Sequence, residues 1–105
     1  MFLELSEEAI PPSAVVRILR SIAATGALGA TRGILFGRPY GEEKTFADYD
    51  AALLQVCREF GLESLPLVTQ LDFGHTDPIF TVPYGIEAEL DCDRQELRYI
   101  DACVR

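Results

Sequence analysis

Nowhere does this chain stay apolar for anything near the roughly 20 residues a helix needs to cross a bilayer, so a helical membrane span is excluded. Positive charge is also scarce. Lys and Arg number 9 against 17 Asp and Glu, a net charge of −8, which opposes attraction to nucleic-acid phosphates and anionic lipid. Arg17, Arg20, Arg32, Arg38 and Arg58 are scattered, so nucleic acid and membrane are not expected partners. The opening MFLELSEE lacks a basic stretch, a sustained apolar core and a small-residue cleavage site, and therefore does not read as a signal peptide. Only 3 cysteines occur, an odd number without Cys-x-x-Cys spacing, which argues against a disulfide framework and against zinc or redox pairs. Cys57, Cys92 and Cys103 are expected to be reduced, in a cytoplasmic protein. No cofactor and no metal are expected.

What the chain does have is enough for one domain with a single core. Its 105 residues are 49% hydrophobic and 25% charged, ordinary values for a globular protein, and no internal repeat, low-complexity segment or linker interrupts them. Phe2, Leu3 and Leu5 suggest an opening strand, ended by Ser6-Glu7-Glu8 and Pro11-Pro12. Val15, Ile18, Leu19 and Ile22 then fall on one helical face, predicting a helix over 13–25 that stops near Gly26. The short run GILFG predicts a buried strand over 33–37. Thr45 followed by Asp48 resembles a capping box, opening a helix over 46–60 with a stripe of Phe46, Tyr49, Leu53, Val56, Cys57 and Phe60. Strands are expected over 65–71, 79–82 and 86–90, then a turn at Asp91 to Arg94 into a returning strand bearing Leu97, Tyr99 and Val104. This order, with helices first and hairpins last, predicts a mixed α/β domain in which two helices cover one side of a curved mixed sheet.

Chemistry has few candidates. The single histidine, His75, stands in the turn-rich segment Asp72-Phe73-Gly74-His75-Thr76-Asp77-Pro78 between two apolar runs. Loops at strand ends favour function, and an ordinary imidazole titrates near pH 6.5, which suits a proton shuttle. A histidine that merely satisfies turn hydrogen bonds fits the same pattern. Asp72, His75 and Asp77 also lie close enough in sequence to suggest a metal, but without the spacing of known zinc or calcium loops. Glu4 interrupts the apolar opening strand. Alternation alone points it to solvent; turned inward it would need a partner, and His75, held through Nδ1 for acid–base work at Nε2, is an economical one.

The segments MFLELSEE, RGILFGRP and LDFGHTDPIFTVPYGIEAELD, in this order and at these separations, resemble the C-terminal half of the LD-carboxypeptidase and microcin-immunity serine peptidases. The resemblance spans nearly the whole chain. It implies a swivelling β/β/α-type domain that supplies two members of a Ser-His-Glu triad, Glu4 as the acid and His75 as the base. The serine of that family belongs to an N-terminal α/β domain, and the peptide substrate sits between the two domains of a protein expected to be a homodimer. Family substrates are murein tetrapeptides, which lose a terminal D-alanine during wall recycling, and peptide–nucleotide microcins. Pro83-Tyr84-Gly85 and the opening segment lean slightly to the microcin-immunity branch.

The departure from a whole family member is that only Met1 to Leu3 precede Glu4. Ser6, Ser13, Ser21 and Ser64 are the only serines, and none sits in a small-residue elbow that would expose a nucleophile. The chain is therefore expected to be a fragment, inactive alone. The competing reading is a non-catalytic acidic module that docks a partner. The two part on whether Glu4 and His75 share one rim or lie on opposite faces.

Overall fold

The computed structural model describes residues 1–102; the expected states of Cys103 and Val104 lie outside the described residues. Strand β1 is Phe2–Leu3, helix α1 Pro12–Ala24, strand β2 Ile34–Gly37, helix α2 Phe46–Glu59 and strand β3 Leu67–Leu71. A hairpin of β4 (Ala88–Asp91) and β5 (Glu96–Tyr99) follows. The mixed α/β class agrees with expectation.

Helix α1 starts at Pro12, one residue before the predicted start. Proline costs nothing there, because first-turn N–H groups have no intrahelical partner and its fixed φ is already helical. Pro11 is extended, and its carbonyl accepts from Ala14 N at 2.8 Å. The buried face is Val15, Val16, Leu19 and Ala23; Ile18 is turned outward, because the stripe runs along Val16 and Ala23, seven residues apart, rather than through position 18. Helix α2 buries Phe46, Tyr49, Leu53, Val56 and Cys57 as expected, together with Ala52, while Phe60 is left exposed. The Thr45–Asp48 capping box does not form. Thr45 already has helical φ and ψ at the end of a 3-10 turn, and its hydroxyl donates backward to Glu42 O at 2.7 Å. The C-terminus is a Schellman closure: Leu62 N donates to Cys57 O at 2.8 Å and Gly61 N to Arg58 O at 3.2 Å.

The β1-α1-β2-α2-β3 path makes a three-stranded parallel sheet in sequence order. Parallel neighbours require crossovers, which the two helices supply. Ile34 and Phe36 point into the core that both helices build, where each is 1% exposed. Leu35, on the opposite face, lines a groove with Leu90 and Leu97 of the hairpin. A strand buried on both faces reads as an unbroken apolar run, as GILFG does.

Two strand expectations change. The single mixed sheet is instead a parallel sheet and a separate two-stranded antiparallel hairpin. Residues 79–82 form no strand: Pro78 and Pro83 bracket them, each removing a donor, and Ile79 and Phe80 stand 61% and 66% exposed. Phe80 makes one backbone bond into the loop, N to Asp72 O at 2.6 Å.

Candidate functional site at the carboxyl edge of the parallel sheet

Glu4 directly follows β1, Arg38 directly follows β2, and Asp72 directly follows β3. Because the strands are parallel, their carboxyl ends lie along one edge, so residues far apart in sequence become neighbours. Open α/β sheets generally bind ligands at this edge.

Register at the edge is set by a bulge. Leu35 pairs with Val68 and Gly37 with Leu71, so β3 spends one residue more than β2 over the same span. The extra residue coincides with Gln70, whose φ is +59°, and its side-chain Nε2 donates to Asp50 Oδ2 on α2 at 2.7 Å. A one-residue slip reverses which face each later side chain takes. The bulge thus determines how the chain leaves β3 toward His75.

Two glycines let this segment lie against the strand ends. A Cβ on Gly37 would stand 2.6 Å from Phe73 O, closer than van der Waals contact permits. At Gly74, φ is +95°, and a Cβ would collide with Glu4 Oε2 and come within 3.0 Å of Glu4 Cβ. Glycine there is required twice, for its left-handed backbone and for its missing side chain. Phe73 packs its ring edge-on against Phe2, centroids 5.7 Å apart at 70°, which fastens the loop to β1.

His75 Nδ1 lies 3.4 Å from Glu4 Oε2, with the two side chains 45% and 48% exposed. A pair this exposed adds no more than about 1 kcal/mol to stability, so its consequence is geometric: the carboxylate faces one ring nitrogen and leaves the other to act elsewhere. The separation exceeds the 2.7–2.9 Å of a closed charge-assisted bond. His75 lines two adjoining clefts. One, of about 290 Å³, includes Glu4, Phe73, Ile79 and Phe80; the other, of about 530 Å³, includes Arg38, Tyr40 and Asp77. None of the four serines lines either cleft.

Glu4 and His75 therefore share one rim. Asp72 and Asp77 do not join His75 as a ligand set, and no cluster of three or more His, Cys, Asp or Glu side chains suited to a metal occurs among the described residues. Asp72 turns to Arg38, Oδ1 to Nη2 at 2.6 Å. That oxygen is buried without a well-angled hydrogen bond, and the guanidinium supplies its counter-charge. In the sequence Arg38 is one of several scattered cations, Gly37 closes the GILFG strand and Gly74 belongs to a turn-rich segment. The available signal was positional: Arg38, like Glu4 and Asp72, is a charged residue directly after a strand.

A parallel α/β unit with a carboxylate–imidazole pair at its carboxyl edge is the kind of scaffold on which acid–base chemistry is built. Residues 1–90 match the family described as the LD-carboxypeptidase C-terminal domain, and the chain belongs to that family. The match ends within β4. No curated protein matches the chain.

Proposed function

We propose that this domain supplies the acid and the base of a Ser-His-Glu triad in a serine carboxypeptidase, with Glu4 as the acid, His75 as the base and the serine on an N-terminal domain. The observation that carries this reading is the approach of Glu4 Oε2 to His75 Nδ1 at 3.4 Å on the edge where the parallel strands end. With Nδ1 facing the carboxylate, Nε2 is the nitrogen that accepts the proton of the serine hydroxyl as its oxygen bonds to the scissile carbonyl carbon. The same nitrogen returns that proton to the departing amine, which leaves as the C–N bond breaks. Water, deprotonated in turn by Nε2, then hydrolyses the acyl-enzyme and frees the serine. Glu4 holds the ring and balances the imidazolium during both steps.

The substrate on this reading is an L,D-linked peptide, such as a murein tetrapeptide, or a microcin-type peptide–nucleotide, handled in the cytoplasm by a homodimer of the two-domain protein. Alone, the 105-residue chain has acid and base but neither nucleophile nor oxyanion donors and is inactive. The test joins these residues to the serine-bearing domain and follows hydrolysis of an L,D-tetrapeptide. His75→Ala lowers kcat by about 10⁴ or more, and Glu4→Gln is severe but milder. Substrate binding survives both changes better than turnover. Robust hydrolysis by the isolated chain, or near-normal turnover by His75→Ala, would overturn the proposal.

A further inference from the structure

Arg38 reaches across the edge to both ends of the segment that carries His75. Its Nη2 is 2.6 Å from Asp72 Oδ1, three residues before the histidine, and donates to Asp77 O at 3.3 Å, two residues after it. Its own backbone is tied to the sheet, with Arg38 N donating to Leu71 O at 2.7 Å. Past Phe73, whose N donates to Leu71 O at 2.9 Å, residues 74–77 make no backbone hydrogen bond to a helix or strand among the described residues, and they include Gly74, the residue least able to stiffen a chain. Thr76 Oγ1 bonds only within the loop, to Pro78 O at 3.3 Å.

We infer that Arg38 is a positioning residue: one guanidinium clamps Asp72 and the Asp77 carbonyl, closing the 72–77 loop so that His75 Nδ1 stays aimed at Glu4. This inference rests on the reading of His75 as the base. Arg38 acts through the loop and does not touch the reacting atoms. As a partly exposed ion pair, Arg38–Asp72 contributes little to folding. As a clamp it matters more, because a misplacement of about 1 Å at a catalytic group can cost about 100-fold in rate.

The test uses the single histidine, which gives one unambiguous set of imidazole nitrogen resonances in the 105-residue chain. Which ring nitrogen of a neutral imidazole holds the proton is set by the hydrogen bond made at the other. In the wild type the neutral ring is expected to carry its proton on Nδ1, facing Glu4. Glu4→Ala, which removes the acceptor, defines the unrestrained tautomer mixture. Arg38→Met is expected to shift the His75 signals to that mixture, and Arg38→Lys to restore most of the wild-type pattern, since an ammonium can donate to both oxygens. Should Arg38→Met fail to fold, Asp72→Asn removes the charge pair alone and is read by the same signals. In the two-domain peptidase, Arg38→Met is expected to lower kcat by about 10–100-fold with KM nearly unchanged.

A wild type without the Nδ1 tautomer would overturn both this inference and the acid–base pairing beneath it. A wild type with that tautomer, unchanged by Arg38→Met or Asp72→Asn, would overturn the clamp alone. A raised KM with unchanged kcat would also overturn the clamp, because it would place Arg38 on the substrate instead.

Discussion

Gly74→Ala probes the site most sharply, because it adds one methyl group at the closest approach between the His75 loop and Glu4. Two costs arise. The backbone conformation, φ +95°, is disfavoured for an L-residue by roughly 1–2 kcal/mol. The new Cβ would also collide with Glu4 Oε2 and stand 3.0 Å from Glu4 Cβ. The carboxylate is the free end of a side chain and can swing away, whereas the β-carbon is held by strand β1, so relief comes from losing the His75 contact and shifting the loop. Overpacking of this kind adds about 1–3 kcal/mol. Gly26→Ala is the matched control: φ there is +82° with no atom within 4 Å of the added carbon, so it pays the backbone cost alone. In a domain of this size each kcal/mol lowers Tm by about 4–8 °C. Gly74→Ala should therefore melt at least several degrees below Gly26→Ala, and only Gly74→Ala should move the His75 imidazole nitrogen signals toward the Glu4→Ala pattern. Equal melting temperatures together with an unmoved His75 spectrum would refute the account of why position 74 is glycine.

Core and surface leucines adjacent in α2 should behave oppositely: Leu53→Ala, at a position 1% exposed, should cost about 2–5 kcal/mol in urea unfolding, and Leu54→Ala, at 44%, far less. The Glu59 carboxyl accepts from Arg20 Nε and Nη2 at 2.7 Å each, and also from Gln55, which holds it at about 2 against an ordinary 4.5. A folded value below the unfolded one means that this α1–α2 link stabilises above pH 4.5 and is lost as pH falls toward about 2; carboxyl NMR should place the Glu59 midpoint near 2, and Arg20→Ala should return it toward 4.5. Thiol labelling of unreduced, denatured protein should find all 3 cysteines reduced, with an intramolecular disulfide counting against a cytoplasmic setting. In the native state Cys92, exposed, should label well before Cys57, whose thiol burial pushes its pKa up.

Local signals carried the elements whose causes are local. The spacing of Val15, Leu19 and Ile22 and the stripe from Phe46 to Cys57 specify helices, and Gly26 and Gly61 end them, because a 3.6-residue period and a left-handed cap are properties of a few neighbouring residues. GILFG reads as a buried strand for the same reason. Elements that depend on distant partners were not legible. The apolar stretch at 79–82 has strand composition but meets no strand, and the Thr45–Asp48 pattern lost its cap to a preceding 3-10 turn. Residue type made Glu4 and His75 candidates and the family resemblance paired them as acid and base, yet alternation alone left Glu4 pointing to solvent. Their juxtaposition required the tertiary structure: two parallel crossovers aligning the ends of β1 and β3, and an extra residue near Gln70 setting how the chain leaves the sheet. Arg38 stands between them for the same reason, since β2 is the central strand. Sequence by itself determined which residues carry a charge or an imidazole and which segments coil or extend, because those depend on chemistry and short-range sterics. Only the packed sheet decided which of them meet, because strand register is a contact between segments some thirty residues apart and no local pattern encodes it.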